Sequence, residues 1–444
     1  MNTKRFGAAF VALLSMLATP TLASAQTAPA TASSSAAPVA SVRQLSGNVY
    51  EFDYLLTTGI GPYHQVGVHR VVRVQKGQPI VSHNAIFLAD GIFSNFDSFM
   101  GATHSPQSLP VYLANNGIDV WGIDYGWALV PPSETDFTFM EDWGLQRDID
   151  DLEKALAFAR QLRNSTGSDG GRLTLLGHSL SVFTGFGLLS QETQMSCASR
   201  NVKAWIPSDE FFMLQPGTGV QGSCAEDLGF YNHLIAQGNY ADKSGAADTL
   251  GGTLAQTDPN GTSPFFPQYT NLQAFLVVTA ATWELQPKQP PFRVRPPFGH
   301  YYAGIFGPSG VNGVPTGLHY TSITRAENQY IGGADFMPLQ LEADTLAICR
   351  STQLPFNNHL QDIAVPVFYL GAAGGTGSAG LYTLTLLGSQ DISNYIVSFY
   401  PPDQAALDYA HDDLYDADNA QDVVWNHILV WLMNHQQDTS CTGN

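Results

Sequence analysis

The run Leu173–Gly187, LTLLGHSLSVFTGFG, sets one serine between an apolar run and a second run of small and apolar residues. A serine hydroxyl is a weak nucleophile until a base removes its proton, and it attacks only where it stands clear of the backbone around it. In Gly177-His178-Ser179-Leu180-Ser181 the pattern has a strand passing straight into a helix, which forces the turn residue into strained backbone angles. Small residues two positions to either side, Gly177 and Ser181, let strand and helix approach each other and push Ser179 upward. The spacing is GxSxS where the usual form is GxSxG. The chemistry open to such a serine is acyl transfer: attack on a carbonyl, a tetrahedral oxyanion, then a covalent acyl intermediate released by water.

That chemistry needs a base and two hydrogen-bond donors for the oxyanion. The chain has 12 histidines. His411 stands where a base is required, after the last predicted strand and ahead of the terminal helix, in YAHDDLYDADNAQDVVWNHILVWL. His178 reads as packing within the elbow, and His427 and His435 fall inside the terminal helix. The donors expected in this architecture are the amide after the nucleophile, Leu180, and an amide after the third strand, Ile92 in AIFLADGIF, where Gly91 lets the backbone turn. An ordinary Asp-Gly turn is the other reading of that segment.

The elements that must position these groups follow from periodicity. Residues 47–74 alternate and are rich in Val and Tyr, which predicts two antiparallel strands with a turn around residues 59–62. Short continuous apolar runs at 84–89, 118–123, 172–176, 202–206, 365–370 and 396–400 predict strands buried on both faces. Helices are predicted at 148–163, with acids first and bases last, and at 421–435. Strands alternating with helices predict an α/β fold with a mainly parallel central sheet flanked by helices. Between residues 211 and 359 the rhythm breaks into Pro-, Gly- and aromatic-rich sequence, which predicts a large inserted cap dividing the core into residues 42–210 and 360–444. Its aromatics Phe211, Phe212, Phe265, Phe266, Phe292, Tyr301, Tyr302 and Phe306 either line an apolar pocket or form the cap's own core.

FLADGIFSNFDSF, SLPVYLANNGIDVWGIDYGW, DWGLQRDIDDLEKALAFARQL and HDDLYDADNAQDVVWNHILVWL resemble the corresponding segments of the α/β-hydrolases, and within them the acid lipase group. The resemblance covers most of 84–186 and 365–434, and nothing in the predicted cap. It implies an α/β-hydrolase fold and a Ser-His-acid triad. Two departures stand out. Asp90-Gly91 replaces the group's His-Gly in the oxyanion segment, and the acid implied just after VPVFYLG is missing, since the chain continues AAGGTGSAG with no carboxylate before Asp391. Some enzymes of the fold carry the acid one strand earlier, which here points to Asp209, with Glu210 as the alternative; the third possibility is that the acid has been lost. Asp412 and Asp413 are too close in sequence to His411 to face its Nδ1.

Composition bounds the rest. The formal charge of −19 argues against a nucleic-acid partner. Residues 1–25, with Lys4 and Arg5, an apolar run and Ala23-Ser24-Ala25, have the form of a secretory signal peptide rather than a stable membrane anchor. Residues 26–41, rich in Ala, Ser, Thr and Pro, read as a disordered leader. Cys197, Cys224, Cys349 and Cys441 have no metal-ligand spacing and suit two disulfides in an oxidising compartment, periplasmic or extracellular, with three pairings open. The resulting expectation is an exported serine hydrolase of small or lipid-like carboxylic esters that needs no metal or cofactor. An amidase or peptidase on the same residues, or a binding protein that has lost the acid, are the rivals.

Overall fold

The computed structural model describes residues 41–217, 220–280, 299–308 and 313–438. The predicted signal peptide, most of the predicted leader, Phe292 and Cys441 lie outside them. The central sheet is built from β1 (Ser41–Ser46), β2 (Val49–Thr57), β3 (Gln65–Gln75), β4 (Ala85–Ala89), β5 (Asp119–Asp124), β6 (Leu173–His178), β7 (Val202–Ser208), β8 (Val367–Ala372) and β9 (Ile392–Val397). They lie in the order β1-β2-β3-β5-β4-β6-β7-β8-β9, with the two-residue strand Gln78–Pro79 appended to β3. The pairs β1/β2, β2/β3 and β3/β5 are antiparallel, and every pair from β5 to β9 is parallel.

Helices cover both faces because the parallel strands are apolar on both. On one face α2 (Leu145–Ser165) and α3 (Ser181–Glu192) bury Ile149, Leu152, Leu156, Val182 and Phe186 against Phe87, Leu175 and Trp205. On the other, α1 (Leu109–Asn115) and the terminal helix bury Leu113, Trp425, Ile428 and Leu432 against Ile86, Val120 and Leu370. Each predicted strand and helix is present. The last strand runs 392–397 rather than 396–400, because as the sheet's edge it keeps polar Ser393 and Asn394 and its apolar signal starts late. β1, largely exposed, gave no strand signal. The terminal helix opens with one π-helical turn, Gln421–Trp425, before its α-helical part Asn426–Asn434.

Between β7 and β8 the described residues add no strand to the central sheet. They form α4 (Val220–Ala236), α5 (Ser244–Thr257), α6 (Asn271–Ala280), α7 (Ile323–Gly332) and α8 (Leu339–Cys349) with two small two-stranded sheets. A disulfide joins Cys224 on α4 to Cys349 at the end of α8. Among the described residues no helix is long and apolar enough to cross a membrane.

Candidate active site

At the end of β6 the chain turns into α3 with Ser179 at φ 54. A side chain in this left-handed region costs about 1–3 kcal/mol, so packing must enforce it. Gly177 shows how close that packing is, for a Cβ there would sit 2.6 Å from Ser181 O and from the Trp205 ring. Ser181, where glycine is usual, fits, and its hydroxyl donates to the Asp90 carbonyl. The segment after β4 presses on the same serine: a Cβ on Gly91 would lie 2.5 Å from Ser179 Cβ. Neither the Leu180 nor the Ile92 amide donates to a protein acceptor among the described residues, so both N–H groups beside Ser179 are free.

His411 comes to this corner from the loop after β9. Its Nδ1 lies 2.8 Å from Asp209 Oδ2, just past the end of β7, with both side chains buried. The glycine-rich run after β8, where the resemblance implied a carboxylate, instead receives this one. Ala372 N–H (2.7 Å) and Gly377 N–H (3.1 Å) donate to Asp209 Oδ1, and Thr376 N–H (3.1 Å) to Oδ2. A Cβ on Gly375 would fall 2.0 Å from Asp209 Oδ2, so the absence of side chains in that run makes room for an acid arriving from the next strand. Glu210 is placed elsewhere, accepting from Phe211 N–H at 2.8 Å. Asp412 and Asp413 do not reach Nδ1 either: Asp412 lies 3.6 Å from His178 Nε2, and Asp413 binds Ala303 N–H, Ala410 N–H and the Thr321 hydroxyl.

Burial alone would raise Asp209 and lower His411. Their mutual bond and charge prevail, holding Asp209 below the ordinary carboxylate range and His411 at about 9. The predicted packing of His178 has a definite partner: its ring lies 4.2 Å from that of His411, and burial, reinforced by the His411 charge, holds it neutral at about 3. The departure at Asp90 is accommodated through its own Gly91 N–H (2.7 Å), with burial raising the carboxyl to about 6.

Ser179, His411, His178, Asp90 and Ile92 line one cavity of about 90 Å³, together with Gly245 and Asp248 of α5, Tyr301, and Gln329 and Tyr330 of α7. No hydrogen bond joins the Ser179 hydroxyl to His411 in this arrangement. The two line the same space. Of the predicted aromatics, Tyr301 lines this cavity, Phe265 and Phe266 line a smaller apolar pocket beside it, Tyr302 belongs to a separate buried cluster, and Phe211 and Phe212 pack into the main core. Phe306 sits half-buried on a two-stranded sheet. His178, His411 and Asp412 approach closely enough for one ligand atom of each to share an ion, with His411 Nδ1 bonded to Asp209. No reading of the sequence pointed to Asp248 in this cavity.

No family model matches the chain, and no curated protein matches it in sequence. Among solved structures it is similar to a Sulfolobus solfataricus protein provisionally assigned as a lipase, with 17% identity over 89% of this chain and 99% of that one and a TM-score of 0.57. It also matches a monoglyceride lipase of Saccharomyces cerevisiae, with 14% identity, 92% and 100% coverage and a TM-score of 0.43. An epoxide hydrolase of Vigna radiata matches with 11% identity, 86% and 97% coverage and a TM-score of 0.44. At such identities the first likeness establishes a shared fold, and an activity has to be argued from the site itself.

Proposed function

We propose that this chain, an α/β-hydrolase by fold, is a serine hydrolase of carboxylic esters. The observation that carries the reading is the buried His411, oriented through Nδ1 by Asp209 at 2.8 Å and sharing a cavity with a serine held at positive φ. With Nδ1 turned to Asp209, Nε2 is the atom we assign to the serine proton. In the neutral form it accepts that proton as Ser179 Oγ attacks the ester carbonyl, and Asp209 stabilises the imidazolium that results. The carbonyl oxygen, now negative, we assign to the Leu180 and Ile92 amides, neither of which donates to a protein acceptor among the described residues. The imidazolium then protonates the departing alkoxide. Water enters, gives its proton to the same ring, and releases the acid from Ser179.

Residues 211–359 we read as a cap over the strand ends, and residues 1–25 as a leader removed on export, consistent with a disulfide between Cys224 and Cys349. A series of p-nitrophenyl esters against aminoacyl anilides tests the reaction class. Turnover of the esters that Ser179→Ala abolishes supports the proposal, whereas preferred cleavage of the anilides contradicts it.

A further inference from the structure

Four carboxylates, Asp90, Asp248, Asp412 and Asp416, line the cavity over Ser179, and among the described residues no Lys or Arg does. Asp416 is neutralised by Arg325, whose Nε lies 3.0 Å away. The other three have no basic side chain to pair with. Asp90 is met by the Gly91 amide and by Ser98. Asp412 faces the neutral imidazole of His178, and Asp248 has no hydrogen-bond or ion-pair partner among the described residues. Asp412 also feels the His411 charge, which acts to lower its carboxyl but does not outweigh burial, and that charge is already paired with Asp209.

Two independent features point to what this wall is for. His178 is only 3% exposed, lines the cavity, and leaves Nε2 without a hydrogen-bond partner, an idle polar atom in an otherwise packed wall. Aromatic side chains share the lining: Phe93, Phe99, Tyr301, Tyr330 and Tyr415 border the same space. Desolvated carboxylates without a cation are costly, and burial already pushes Asp412 up to about 6 and Asp248 to about 7. Aromatic faces are poor partners for anions and good ones for organic cations.

Resting on the ester-hydrolase reading, we propose that the cavity selects esters carrying an organic ammonium group, recognised by Asp248 and Asp412 together with the faces of Tyr301 and Tyr330. The adjoining apolar pocket, which shares Asp248 and Tyr330 with the cavity and is otherwise lined by Leu254, Phe265, Phe266 and Phe275 among others, would take the uncharged end of the same molecule. The negative charge of the whole chain draws such a cation in.

Calorimetry on Ser179→Ala with choline, and with its uncharged isostere 3,3-dimethylbutan-1-ol, tests this without requiring turnover. The expected result is choline binding about tenfold or more tighter than the isostere, with Asp248→Asn removing most of that preference. In the wild type the kcat/KM ratio between the acetate esters of the two alcohols should follow the same pattern. Equal binding of the two alcohols, an unchanged preference in Asp248→Asn, or Ca²⁺ binding more tightly than choline would each overturn the proposal. Choline binding without hydrolysis of either ester would overturn the ester-hydrolase reading and leave the cation site standing.

Discussion

Asp209 sits at φ 47 and Ser179 at φ 54, two strained residues on neighbouring strand ends, each presenting its side chain toward His411 or the cavity beside it. A buried carboxylate this well supplied with donors orients the imidazole and sets its proton affinity. Asp209→Asn should therefore lower kcat by about 10⁴-fold on p-nitrophenyl esters. It should also move the pH profile. His411 acts only when neutral, and its folded value of about 9 lies above the ordinary 6.5, so kcat/KM in the wild type rises with pH along a limb displaced to the alkaline side. In Asp209→Asn the interaction that raised the ring is gone and burial, which lowers it, dominates, so the limb should fall below its wild-type position. Ser179 and His411 were legible because a strand–turn–helix and a late loop each leave a local signature. The acid was not settled, because Asp209 and Glu210 are adjacent and only the fold decides which one reaches Nδ1. The trace that decides it was in the sequence, in the side-chain-free run Gly374-Gly375, but it becomes meaningful only once the neighbouring strand is known.

At the scale of elements, the site depends on loops that approach too closely for side chains. Gly375→Ala would drive a Cβ into the Asp209 carboxylate, so the variant should lose about 1–3 kcal/mol in urea unfolding and most of its esterase activity, whereas a change at exposed Gly222, with no atom within 4 Å, should leave stability near wild type. The antiparallel entry to the sheet is tied down by charge. His69 bridges Glu51 (3.1 Å), Asp53 (3.2 Å) and Asp124 (2.9 Å), and Asp124 also holds Phe96 N–H just beyond the Ile92 loop. Burial opposes protonation of His69, but these carboxylates raise it well above 6.5. Its contribution is therefore complete below 6.5 and lost as pH rises through the folded value, so unfolding free energy should decline in the alkaline range, and less so in His69→Gln. Core strands were readable as continuous apolar runs. Edge strands were less so, because their composition approaches that of loops: β1 left no signal and β9 was read as starting four residues late.

For the molecule as a whole, the disulfide between Cys224 and Cys349 ties α4 to α8 across 125 residues of sequence. Cys224→Ser with Cys349→Ser should cost about 2–4 kcal/mol, read as a lower thermal midpoint, by loosening the unfolded-state constraint on that segment. Domain-level packing of the 211–359 region could not be read from sequence, because Pro- and Gly-rich runs carry no period, and neither could the cavity lining that this region supplies, with Asp248 on α5 and Gln329 and Tyr330 on α7. The claim on which everything turns is that Ser179 is an activated nucleophile. A fluorophosphonate probe reads this directly: the account predicts stoichiometric labelling of the wild type at Ser179, none in Ser179→Ala, and much slower labelling in Asp209→Asn, whereas a wild-type protein that stays unlabelled would contradict it.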